Sequence, residues 1–193
     1  MDIKSLIASW TEDDLKSETK IFIAVNDQYR SFPLPLQKVK ERFEGPEPED
    51  WIVCPFLPCP WSLDWPGQIN EARNNEAELA RLVAEDPLFK HRLVLSSTRG
   101  VTPLEFSKYE RNIDVLEGRV TVLCSSTEID EREAKTLARG YHWPSDEDLK
   151  PIIVAIGVGD KFWIPPCRIY TLVCRERSLV CLSSIVPPQK KGH

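Results

Sequence analysis

The sequence predicts a mainly β protein, a small barrel or sandwich that carries an N-terminal helical and extended decoration. From Arg92 onward, short segments rich in β-branched and aromatic residues recur with turn signals between them. Gly118 and Gly159 each stand between two such segments, as tight turns require. With 193 residues, 41% of them hydrophobic and 28% charged, the chain has enough apolar material for one real core.

Residues 1–20 read as a short helix and a polar turn, and Ile21-Phe-Ile-Ala-Val25 as a strand. Residues 35–44 fit a short helix with Leu36, Val39 and Phe43 on one side. The Pro-rich stretch Gly45–Gly67 cannot form regular helix. Its large apolar residues, Trp51, Phe56, Trp61 and Trp65, are too many for a linker. It reads as an extended arm packed on its own domain or on a partner. Residues 68–86 read as a helix ended by Pro87, with Ile69, Ala72, Leu79, Leu82 and Val83 near one face.

The strand candidates follow: Arg92–Leu95, Leu104–Tyr109, Ile113–Leu116, Arg119–Cys124, Ile152–Ile156, Lys161–Ile164, Ile169–Cys174 and Ser178–Val186. Some alternate in part; others are solid apolar runs that predict burial on both faces. An insertion at 125–151 carries a helix over Glu131–Arg139, stopped by Gly140. The acidic run Ser145–Asp148 lacks calcium-loop spacing and glycine, and reads as a solvated loop. The expected organisation is a segment 1–91 packed on or flanking a barrel, the barrel at 92–187 and a loose tail at 188–193.

A net charge of −5 argues against a general nucleic-acid grip. No apolar run reaches the roughly 20 residues of a membrane span, and the N-terminus is too acidic for a signal peptide. None of the six cysteines forms a Cys-x-x-Cys pair. Without a secretion signal they are expected to be free thiols, with Cys124, Cys167, Cys174 and Cys181 as core filler, in a nuclear or cytoplasmic protein.

Two segments, Val115-Leu-Glu-Gly118-Arg-Val-Thr-Val and Gly159-Asp-Lys-Phe-Trp-Ile-Pro165-Pro-Cys167-Arg-Ile-Tyr170, resemble the signature segments of the cupin superfamily. The resemblance covers about residues 92–187. Metal-binding cupins carry G-x5-H-x-H-x3,4-E-x6-G and G-x5-P-x-G-x2-H-x3-N. Anchored on Gly118, the first motif puts its glutamate on Arg111 and its histidines on Leu104 and Phe106, or on Glu105 and Ser107 with the shorter spacing. Anchored on Gly159, the second keeps its proline at Pro165 but has Cys167 for glycine, Tyr170 for histidine and Cys174 for asparagine. The turns survive and the ligands do not, which implies a metal-free type with no cofactor. His91, His142 and His193, the chain's only histidines, lie at positions from which a shared metal site is not expected. Glu105 and Glu110 read as surface charges and Arg111 as a solvated arginine. Tyr109, Arg111 and Tyr170 are the candidates for a barrel cavity, with Tyr170 filling the space a metal would take.

No nucleophile elbow, phosphate loop or His-Glu-x-x-His motif is present, so no catalytic residue is assigned. Ligand-free cupins resembling this chain include the dimerisation domains of the centromere protein C family. That resemblance implies a non-enzymatic homodimerising scaffold with a chromosomal or chromatin partner. The expected interface residues are Phe162, Trp163, Tyr170, Leu179, Val180 and Leu182 on the barrel, and Trp51, Phe56, Trp61 and Trp65 on the arm. The other reading is a small-molecule-binding or metal-free cupin enzyme of the epimerase or isomerase kind.

Overall fold

The computed structural model describes all residues except 26–27, 47–50, 59–91, 138–142, 145–148 and 186–193. The predicted helix at 68–86, the acidic loop, Trp61, Trp65, Cys59 and the three histidines lie outside the described residues, as do the side chains of Trp51 and Phe56.

Two short helices open the chain, α1 (Ile3–Ala8) and α2 (Glu12–Lys16). Asp2 caps α1 by accepting from the Ser5 N–H, and Thr11 and Asp14 form a reciprocal capping box on α2. The hairpin β1 (Glu18–Val25) and β2 (Gln28–Pro35) leads into α3 (Leu36–Glu44). As predicted, Leu36, Val39 and Phe43 are the buried side of α3. Over Trp51–Pro58 the Pro-rich stretch is a strand, β3. Then come β4 (Arg92–Ser96), β5 (Glu105–Ser107), β6 (Glu110–Glu117) and β7 (Arg119–Ser125). Helix α4 (Glu131–Leu137) lies in the predicted insertion. The chain finishes with β8 (Pro151–Gly157), β9 (Lys161–Ile164), β10 (Arg168–Cys174) and β11 (Ser178–Ile185).

These strands make two antiparallel sheets: a seven-stranded one in the order β2-β1-β3-β4-β11-β6-β9 and a four-stranded one in the order β5-β10-β7-β8. The strands predicted from residue 92 onward are all present. Among the described residues the two sheets pack as a sandwich, with no closed ring of strands.

The larger sheet is covered on both faces at its middle strand. In β4 every residue is buried. Val94 faces the other sheet, in a core with Ile113, Val115, Val122, Leu172 and Val180. Leu93 and Leu95 point the opposite way, into a core built with Ile3, Leu6 and Ile7 of α1 and the buried side of α3. Successive side chains alternate faces, so one apolar run serves two cores. Leu179, Val180 and Leu182, expected at a dimer face, are interior for this reason. Phe162 is half-buried against the sandwich core. Trp163, which alternates with it, is 45% exposed.

The β6–β7 turn rests on Gly118, with φ +81°. A Cβ there would collide with the carbonyl oxygen of Arg177 and Oγ of Ser178, so the β10–β11 turn packs directly on a bare glycine. Cys167 has φ +57°, the left-handed conformation that suits the glycine it replaces in the second motif. Among the described residues, no helix is long and apolar enough to cross a membrane.

Candidate functional site: a carboxylate, two guanidiniums and a phenol

Strand periodicity carries a group of polar side chains into the sandwich. Arg92 is on the same face of β4 as Val94, Arg111 shares a face of β6 with Ile113 and Val115, and Tyr170 shares a face of β10 with Leu172. All three are buried, Tyr170 completely. Glu105, at the start of β5, supplies the acid, and its side chain is 12% exposed. The expectation of a surface charge at Glu105 and a solvated guanidinium at Arg111 is corrected here.

Three proton donors converge on one oxygen. Tyr170 Oη donates to Glu105 Oε2 at 2.7 Å, Arg92 Nη2 donates to the same oxygen, and Arg111 Nη1 stands 3.5 Å from it. Arg111 Nη1 also donates to Tyr170 Oη at 2.7 Å, and its guanidinium carbon lies 5.6 Å from the centre of the tyrosine ring. The phenol thus accepts from one charged group and donates to another. Such charge-assisted bonds are about twice as strong as neutral ones.

Burial alone pushes the Glu105 carboxyl up, but Arg92, Arg111 and the tyrosine hydrogen bond outweigh it and hold the acid below its ordinary value. Tyr170 goes the other way. Burial pushes the phenol up to about 12, with Arg111 opposing and the Glu105 charge adding to the rise. Burial lowers the Arg92 guanidinium, and Glu105 and Tyr170 more than restore it. The centre therefore holds a fixed carboxylate, a fixed neutral phenol and fixed cations at ordinary pH.

Three of these residues, Glu105, Arg111 and Tyr170, are ones that the sequence resemblance aligns with cupin metal positions. With the shorter spacing, Glu105 stands at the first histidine, Ser107 at the second, Arg111 at the glutamate and Tyr170 at the histidine of the second motif. Ser107 is turned to other work, donating to the Tyr109 carbonyl at 2.6 Å. Tyr109 itself is half-buried. Among the described residues, no group of three His, Cys, Asp or Glu side chains is placed to hold a metal ion. The cysteines are no substitute. Cys54, Cys124 and Cys174 are buried free thiols, and burial pushes them up to about 12, 11 and 11, away from the thiolate a metal needs.

No protein-family model matches the chain, and no curated protein sequence matches it. Solved structures do. The ribosomal oxygenase YcfD of Escherichia coli, in complex with cobalt and 2-oxoglutarate, is similar over 99% of this chain with a TM-score of 0.55 and 13% identity. The same enzyme with cobalt and succinic acid gives a TM-score of 0.54 at 13% identity. The chain has a cupin-like fold. It spans 45% of the length of those oxygenase chains.

The Drosophila melanogaster CENP-C domain is similar only at a TM-score of 0.35, over 49% of this chain and with 11% identity, too little to carry an argument. The expectation of a non-enzymatic dimerisation scaffold rested on that likeness and is corrected: the similarity that spans the chain is to oxygenase structures that hold small molecules. Nothing in these similarities supports the centromeric, chromatin, nuclear or homodimer expectations.

The centre was partly legible. Tyr170 and Arg111 stand on motif positions that the sequence singles out. Arg92 and Glu105 were missed as members. The available signal was parity, since a charged residue two positions from a core valine on the same strand points where the valine points.

Proposed function

We propose that this chain is a small-molecule-binding cupin whose interior centre works without a metal ion. The observation that carries the reading is the network on the metal positions, in which Glu105, Arg111 and Tyr170 are bonded to one another. A guanidinium at the glutamate position repels a cation, the phenol is held neutral, and the carboxylate is already engaged by several donors. The cobalt and 2-oxoglutarate of the E. coli enzyme are not carried over, because these residues are not a ligand set for a metal.

Binding is favoured over acid–base turnover at this centre. A general base needs a pKa near the working pH, and Glu105 is held below the ordinary carboxylate value while Tyr170 is pushed to about 12. At ordinary pH the carboxylate stays ionised and the phenol stays protonated. What they supply is a rigid, pre-organised interior that ties β4, β5, β6 and β10 together.

The test is elemental analysis of the purified chain, with and without added Fe(II) or Co(II), followed by native mass spectrometry for retained small molecules. Metal far below one equivalent, together with a retained or added small molecule, supports the reading. One equivalent of iron that is lost in Glu105→Gln overturns it.

A further inference from the structure

A third arginine stands in a different setting. Between α1, the C-terminal end of α3 and the paired β6–β7 and β10–β11 turns lies a cavity of about 370 Å³. This is within the size range of small-ligand sites, about 300–1,000 Å³. Its apolar wall is Ile3, Ile7 and Phe43, and its charged groups are Lys4, Glu44, Glu117 and Arg177.

Arg177 is the unusual member. Its Nε and Nη2 are both buried and neither has a hydrogen-bond partner. These two nitrogens form one edge of the guanidinium, the edge whose parallel N–H groups grip a carboxylate or phosphate in a two-point fork. The plane is held by Phe43, whose ring centre lies 5.1 Å from the guanidinium carbon. The backbone is held by Gly118, since the Arg177 carbonyl packs where a Cβ would be. The side chain is thus positioned, desolvated and without an acceptor. Leaving charged donors so is costly, because they have given up water for nothing in return.

Neither acid lining the cavity hydrogen-bonds to those two nitrogens. Glu117 Oε2 accepts instead from the Ile3 N–H at 2.6 Å. The two carboxylates also restrict the ligand. A doubly charged phosphate would meet Glu44 and Glu117, whereas a single carboxylate can take the fork with Lys4 as a second cation at the rim. The rest of the ligand then lies against Ile3, Ile7 and Phe43, which asks for an apolar body.

We propose that this cavity binds a small monocarboxylate with an apolar body, its carboxylate held by the Nε–Nη2 edge of Arg177. The site deepens the small-molecule reading and rests on it only for the class of function. Finding bound iron would sink the metal-free centre without touching this site, and a flat titration here would sink this site without touching the metal result.

The experiment is an NMR titration of the whole chain with benzoate, octanoate and inorganic phosphate, read at the α1 and Phe43 resonances. Benzoate or octanoate is expected to saturate those shifts, and phosphate is not. Arg177→Lys, which keeps the charge but loses the fork, should weaken binding about tenfold or more, and Arg177→Gln at least as much. Lys4→Glu, at an exposed position, should weaken it severalfold and decides the matter if the Arg177 variants do not fold. The proposal is overturned if neither carboxylate saturates, if phosphate binds more tightly than both, or if these substitutions leave the affinity unchanged.

Discussion

The two arginine environments differ in who supplies the anion. At the sandwich interior the chain brings its own: Glu105 is threaded between Arg92 and Arg111, with Tyr170 as a further donor. Below α1 the chain brings a desolvated guanidinium edge and no acceptor. The first arrangement pairs its charges within the chain and ties strands together. The second is unsaturated and open to something from outside. A buried charge is informative through its partners more than through its burial, because satisfied polar groups define structure and idle ones point to ligands.

The largest effect that tests this contrast is loss of the interior acid. Glu105→Gln leaves the buried guanidiniums without their carboxylate, and breaking such a pair costs about 3–5 kcal/mol. Urea unfolding should show the unfolding free energy falling by that amount, and the midpoint with it. Acid titration sharpens the test. A carboxyl held below its ordinary value of 4.5 contributes stability that is present above that pH and is lost as pH falls through the depressed folded value. The wild-type chain should show that acid limb and Glu105→Gln should lack it. An unchanged midpoint in the variant would mean the charges of the centre are not paired in the way described.

Removal of the phenol comes next. Tyr170→Phe keeps the ring and deletes the group that accepts from Arg111 and donates to Glu105, at a cost of about 1–3 kcal/mol. The sign of the pH effect is opposite to that of the acid. A phenol raised to about 12 contributes stability that is complete below its ordinary value of 10 and declines as pH rises toward 12. Unfolding measured between pH 9 and 11, about the ordinary tyrosine range, should therefore show a steeper alkaline loss in the wild type than in Tyr170→Phe.

Much of this frame is readable before any coordinates. The apolar segments after residue 92, the glycine turns and the amphipathic α3 follow from local propensity and periodicity, and each is found where expected. The polar centre was harder to read because it is made by long-range pairing. Tyr170 reaches Glu105 across 65 residues and Arg111 across 59, and no local signal reports such distances. The prior against burying arginine then pushed Arg111 to the surface, although its alternation with Ile113 and Val115 placed it inside. The Arg177 cavity was not legible at all. It exists only because α1 and the end of α3 come to lie beside two β-turns, a contact among parts of the chain that share no motif.

The smallest predicted effect is the most discriminating. Arg177→Met keeps an unbranched side chain to pack on Phe43 and removes the idle donors together with the charge. The lost cation–π contact, about 0.5–1 kcal/mol, is set against relief of desolvated N–H groups that gain nothing in the ligand-free chain. The two nearly cancel, so the unfolding free energy should move by no more than about 1 kcal/mol, against the 3–5 kcal/mol of Glu105→Gln. Yet added benzoate should raise the melting temperature of the wild type and leave that of Arg177→Met where it was, since a ligand stabilises only the form that binds it. A large loss of stability in Arg177→Met would show that the guanidinium is already satisfied within the fold, and the two arginine environments would then be alike.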